Sequence, residues 1–231
     1  MSEILGKMEK PEAAQFKNER KLFFVPLIIT PQEKDPIIAE LSTKYWREVT
    51  EQLSNLESKL SPIKHVYHEL LPASESVKHL EELGINSHSI VKTLITNGAI
   101  ISAIEDDELM REFIDWNLCL SLHLQSQNVF SKIYDAFQEV VRRRYEYVAK
   151  SIDETLRGNE SAVLFMREGH SIQFPSDIQI FYVAPPSLDA LRRALRERQE
   201  NYNKHECDNS ISHECHEADP SQSEGNTEPL P

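Results

Sequence analysis

Hydrophobic and polar residues alternate along this chain between short apolar runs and longer segments with three- and four-residue periodicity. The runs Lys21 to Ile29 (K-L-F-F-V-P-L-I-I), Ile63 to Leu71 (I-K-H-V-Y-H-E-L-L), Ala99 to Ile104 (A-I-I-S-A-I), Ala162 to Met166 and Ile178 to Val183 are rich in β-branched and aromatic residues and read as strands. Between the first two, Ile38, Leu41, Tyr45, Val49, Leu53, Leu56 and Leu60 recur at helical steps behind Asp35-Pro36, an N-cap followed by proline at the first helical position. A second long helix is expected from about Val129 to Leu156, apolar at Ile133, Phe137, Val140, Val141, Val148 and Ile152. Shorter helices are expected between Ser74 and Asn97, with Gly84 as a C-cap, and after Glu105, where four consecutive acids suit the positive end of the helix dipole. Pro185-Pro186 ends the last strand ahead of a helix starting near Ser187, and Pro26 suggests an edge position, a bulge or a strand start for the first. Strand and helix alternate throughout, so the expected fold class is α/β: a three-layer, largely parallel sheet of about five strands covered by helices.

Composition sets the boundaries. Among 231 residues, 39% are hydrophobic, enough for a core. No apolar run approaches the ~20 residues that span a bilayer, and the N-terminus lacks the apolar segment of a signal peptide. Cys119, Cys207 and Cys215 do not make a disulfide framework, and a soluble, cytoplasmic protein is the expectation. Residues 1–20 and 201–231 are polar and read as disordered, leaving one α/β domain at 21–200. The formal charge of −13 disfavours nucleic acid and anionic membranes as partners, and seven acids against Lys204 concentrate part of it in the tail. Arg142, Arg143 and Arg144 read as a solvated face; with Tyr134, Tyr145 and Tyr147 they also form a stripe through which a homodimer is conceivable.

Polar residues with chemical capacity gather at the expected strand ends. These are Thr30 and Gln32 after the first strand, His68 and Glu69 at the second, Glu105 at the third, and Glu168 and His170 at the fourth. Parallel strands bring such ends to one rim, where open α/β sheets bind ligands. Glu105 and His170 in reach of one another would activate a water, assisted by Glu69 or His68, with Glu168 alongside. Each also has a structural reading: a turn hydrogen bond for His170, a favourable first-turn acid for Glu105, and alternation that splits His68 from Glu69. Six glycines in the whole chain form neither G-x-G-x-x-G nor a P-loop, so no nucleotide cofactor is assigned. Cys119 and His123 share a helix face without a third ligand. The tail residues His205, Cys207, His213, Cys215 and His216 lack flanking apolar structure, so no metal site is assigned either.

The order of these pieces is similar to the TraB/Tiki and erythromycin-esterase-like α/β superfamily. The likeness rests on a strand-end Thr, the acid in A-I-E-D-D-E-L, the long helix R-R-R-Y-E-Y-V-A-K-S-I-D-E-T-L and a strand followed by G-H, over residues 21–186. It implies a hydrolase-like pocket in which Glu105 matches the family's acid at the end of a middle strand, and Gly169 and His170 match its Gly-rich turn and His at the end of a late strand. Where the family places a His after its first strand, this chain has Ile29-Thr30-Pro31, and Arg167-Glu168 stand where small residues precede the late His. The stretch L-F-M-R-E-G-H-S-I-Q-F-P-S-D-I-Q-I-F-Y-V also resembles an uncharacterised bacterial family. Two classes of function follow: a hydrolase-like enzyme, or a non-catalytic binding or regulatory protein that uses the same rim or an exposed helix face for a small molecule or peptide.

Overall fold

The computed structural model describes residues 19–30, 34–73 and 76–214, with side chains to residue 201. Five strands form one parallel sheet: β1 (Arg20–Pro26), β2 (Ile63–His68), β3 (Ile100–Ile101), β4 (Ser161–Met166) and β5 (Ile178–Tyr182), in the spatial order β3-β2-β4-β1-β5. The three-layer α/β architecture is the one expected.

Helix α1 (Pro36–Lys59) starts where Asp35 accepts hydrogen bonds from the Ile37 and Ile38 amides. Its apolar stripe joins residues of α2 (Val77–Glu82), α3 (His88–Thr96) and the first turns of α6 (Pro186–Glu214) in a core on one face of the sheet. Period-two alternation divides the central strand β4: Val163 and Phe165 enter that core, while Ala162, Leu164 and Met166 enter a second one against Val148, Ile152 and Leu156. Those last three belong to α5 (Gln127–Thr155) or its cap, so α5 covers the opposite face, with α4 (Asp107–Leu120) packed along it.

Two boundaries differ from the sequence reading for reasons visible in the ladder. β1 lies inside the sheet, not at its edge. Leu27 N–H donates to Met166 O at 2.9 Å on the β4 side, so by alternation the donor missing at Pro26 would face β5, where pairing already ends at Phe24 and Tyr182. β3 is cut to two residues: Ser102 still donates to Val66 O at 3.1 Å, but regular pairing stops there, and Glu105 forms an isolated parallel bridge with Pro72 beyond the end of β2. Gly84, at φ 66°, follows α2 in the left-handed conformation expected of it. Just before β4, Asn159 adopts the left-handed conformation at φ 69°. Of the proposed tail, the backbone of 201–214 continues α6, and 215–231 lie, like 1–18, outside the described residues. Among the described residues no helix is long and apolar enough to cross a membrane.

Candidate functional site

Strand order locates the site. From β2 the chain moves outward through α2 and α3 to the edge strand β3. From its neighbour β4 it moves the other way, through residues 167–177, to the opposite edge strand β5. The carboxyl ends of β2 and β4 therefore flank a topological switch point, the crevice where open α/β sheets take ligands. Glu69 follows β2 and Arg167 follows β4, and the Glu69 amide still donates to Phe165 O at 3.0 Å across the gap.

Glu69 and Arg167 meet there. One Glu69 carboxylate oxygen accepts from the Arg167 amide at 2.7 Å, and the other accepts from its Nε at 2.9 Å and Nη2 at 2.7 Å. The second oxygen also accepts from Arg144 Nη2 at 3.2 Å. Arg144 comes from α5, where it stands four residues after Val140 and four before Val148 on the buried stripe. It gives Nε to Glu105 Oε2 at 2.8 Å and Nη2 to Oε1 in a two-pronged pair, and its guanidinium lies 4.8 Å from the Phe113 ring centroid. Glu69, Glu105 and Arg144 are all buried, whereas half of the Arg167 side chain is exposed. Two carboxyl groups and two guanidiniums thus form one hydrogen-bonded chain running from the core to the surface.

Their proton affinities diverge. Burial pushes Glu105 up to about 7 even against Arg144, and the nearby Glu69 charge adds to the rise. Burial would also raise Glu69, but the hydrogen bonds and charge of Arg167, with Arg144 behind it, outweigh that and hold it below the ordinary range.

The remaining expected site residues fall around this chain. Alternation turns His68 to the face opposite Glu69: its Nδ1 accepts from Leu70 N–H at 3.1 Å, so the neutral ring carries its proton on Nε2, which meets Ser87 Oγ at 2.9 Å. Burial lowers His68 to about 3, the Glu69 charge opposing, so it stays neutral and shapes the end of β2. His170 follows Gly169, which at φ 82° makes the left-handed turn after β4. Its half-buried ring sits between Phe24, Tyr145 and Phe174, at 5.1, 6.3 and 6.2 Å between centroids. Nδ1 accepts from Ile172 N–H at 3.4 Å, and burial lowers its proton affinity against the pull of Glu69. No hydrogen bond joins His170 to Glu69 or Glu105 among the described contacts.

Glu168 points elsewhere and pairs with Arg192 of α6 and the Tyr182 hydroxyl of β5. Thr30 contacts Ser42 at 3.0 Å, with Asn86 donating to Ser42 at 2.8 Å, while Gln32 lies outside the described residues. Beside His170, a groove of about 270 Å³ runs between α5 and the β4–β5 connection, lined by Val141, Tyr145, Ala149, Ser171 and Gln173 among others.

Arg144, Arg167 and Tyr145 are the members that sequence reasoning missed. Reading the arginines as solvated is overturned for Arg144 by its burial, and the available signal was its place on the i, i+4 stripe. Arg142 pairs with Glu139 and Glu146, and Arg143 with Glu112 at 3.0 Å, so neither is a free interface anchor. Comparison with protein-family models, curated proteins and solved structures finds no match for this chain.

Proposed function

We propose that the switch point is a binding site for a small anionic ligand, a carboxylate or phosphate compound, held by Arg167 and His170. The observation that carries this reading is accessibility. Glu69 and Glu105 are buried and occupied by arginines, while the groups that reach the surface of the crevice are a guanidinium and an imidazole. With Nε and Nη2 given to Glu69, Arg167 keeps Nη1 without a partner among the described residues, and its fork is held in place before a ligand arrives. Neutral His170, its Nδ1 occupied, would add an Nε2–H donor. The protein then acts as a ligand-binding or regulatory module, and its three cysteines fit a cytoplasmic setting.

Thermal-shift titration with inorganic phosphate, acetate and simple phosphate monoesters tests this, because a ligand that binds only the folded state raises the midpoint with concentration. A saturable rise that vanishes in Arg167→Gln is expected. No rise with any anion, or an equal rise in Arg167→Gln, contradicts the reading.

A hydrolase-like reading has one observation in its favour besides the TraB/Tiki likeness: two neighbouring carboxyl groups whose proton affinities are driven apart, Glu105 upward and Glu69 downward, as an acid–base pair requires. It needs an opening of the Arg144 pairings to admit substrate. Turnover of an ester or amide that is lost in both Glu69→Gln and Glu105→Gln would favour it over simple binding.

A further inference from the structure

In the connection from β4 to β5, core and surface residues alternate. Ile172 and Phe174 pack into the core under α5, whereas Ser171 and Gln173 are exposed and line the groove of about 270 Å³ along that helix. Across from them, Val141, Tyr145 and Ala149 follow one another at four-residue steps, an apolar ridge about 12 Å long beside the buried stripe of Val148 and Ile152. Gln138, Arg142 and Glu146 repeat that spacing one ridge further out, and Arg142 is paired with Glu146 as well as Glu139. The groove therefore has an apolar floor and amide and hydroxyl edges, and its two charged lining residues neutralise each other.

Tyr145 joins this groove to the switch point. Its ring meets that of His170 edge-on at 6.3 Å between centroids, and Ser171 follows His170 directly. The residue before Tyr145 is Arg144, which shares a Glu69 oxygen with Arg167. Burial raises the proton affinity of the Tyr145 hydroxyl, and the charges of Arg144, Glu69 and Arg167 all act on it. An anion held by Arg167 and His170 thus has an apolar wall beside it on which an uncharged portion can lie.

We infer that the ligand is an amphipathic anion, whose head is held at the strand ends by Arg167 and His170 and whose apolar body lies along the ridge of Val141, Tyr145 and Ala149. This rests on the anion-binding reading above and gives it a ligand class. Charge and size select that class. The head position offers a guanidinium, whereas the paired Arg142 and Glu146 leave the groove without net charge, which suits a neutral body. At ~30 Å³ for each water-sized group, 270 Å³ holds about nine of them, the size of a body of about six to eight carbon atoms. Inorganic phosphate and acetate would fill the head position alone.

Calorimetric titration of the full chain with two pairs of probes is the test: acetate against octanoate, and inorganic phosphate against hexyl phosphate, each pair differing by six carbons. Full burial of one methylene is worth a factor of about four and half-burial about two, so the longer member of the pair that binds should be at least about 30-fold tighter. Val141→Trp, which fills the groove, should cut that ratio to below about threefold; where it loses helix by circular dichroism, Gln173→Trp on the opposite wall serves instead. Short anions that bind through Arg167 while six added carbons gain nothing overturn the inference and leave the anion site standing. A ratio that persists in the folded groove variant overturns it in the same way. No binding by any of the four probes, or octanoate and hexyl phosphate binding equally well to Arg167→Gln, overturns the anion-binding reading and this inference with it.

Discussion

Arg144 shows how much depends on one side chain. Among the described residues it is the one cation hydrogen-bonded to Glu105, and it shares a Glu69 carboxylate oxygen with Arg167. Arg144→Met removes that counter-charge, so buried Glu105, already raised to about 7, is held protonated and its oxygens lose both guanidinium donors. Buried polar groups left unsatisfied cost about 1–3 kcal/mol, which urea denaturation should show, and the loss relative to wild type should grow from about pH 6 to about pH 9 as ionisation of Glu105 goes uncompensated. A loss that is the same at both pH values would mean that the cost is one of packing rather than charge.

Glu105 and His68 also pull the pH dependence in opposite directions. The folded-state affinity of His68 is lowered to about 3, so the stability from its neutral form is complete above the unfolded value of about 6.5 and is lost as pH falls toward 3. Glu105 is raised to about 7, so its contribution is complete below the unfolded value of about 4.3 and is lost as pH rises through 7. Between about pH 4.5 and 6.5 the two slopes oppose, each approaching about 1.4 kcal/mol per pH unit at most. Glu105→Gln should therefore unmask a stability that falls on acidification, and His68→Gln one that rises. Unfolding free energies measured across that window check both signs, and identical slopes in the two variants would refute the assignment.

At the level of elements, the sequence announced strands and helices better than it announced their ends. The stripe from Ile38 to Leu53 and the Asp35-Pro36 start of α1 were readable because helix periodicity and capping are local. The length of β3 and the interior position of β1 were not, because pairing partners are distant in the chain. At the site the same division holds. Strand ends nominated Glu69, Glu105 and His170, but the pairing of both glutamates with Arg144, 75 and 39 residues away, depends on how α5 crosses the sheet. One contact between elements tests the packing directly: the buried Tyr45 hydroxyl of α1 donates to Pro26 O at 2.6 Å. Tyr45→Phe leaves that carbonyl unsatisfied and should cost about 1–3 kcal/mol in urea denaturation. A neutral result would mean that the carbonyl finds another donor.

Across the whole molecule, a sheet with a switch point between β2 and β4 supports a charged chain whose inner members are sealed and whose outer member is presented to solvent. The same connection that carries Arg167 anchors itself through Glu168 to α6 and β5, so the turn bearing His170 is fixed at both ends. Binding, on this account, belongs to Arg167 and not to the buried carboxylates. Calorimetric titration of inorganic phosphate, or of the tightest anion from the thermal-shift series, into wild type, Arg167→Gln and Glu105→Gln measures that division. The account predicts that Arg167→Gln weakens binding at least about tenfold, roughly 1.4 kcal/mol or more, while Glu105→Gln stays close to wild type. Unaltered affinity in Arg167→Gln together with loss in Glu105→Gln would contradict it and return the site to the acids.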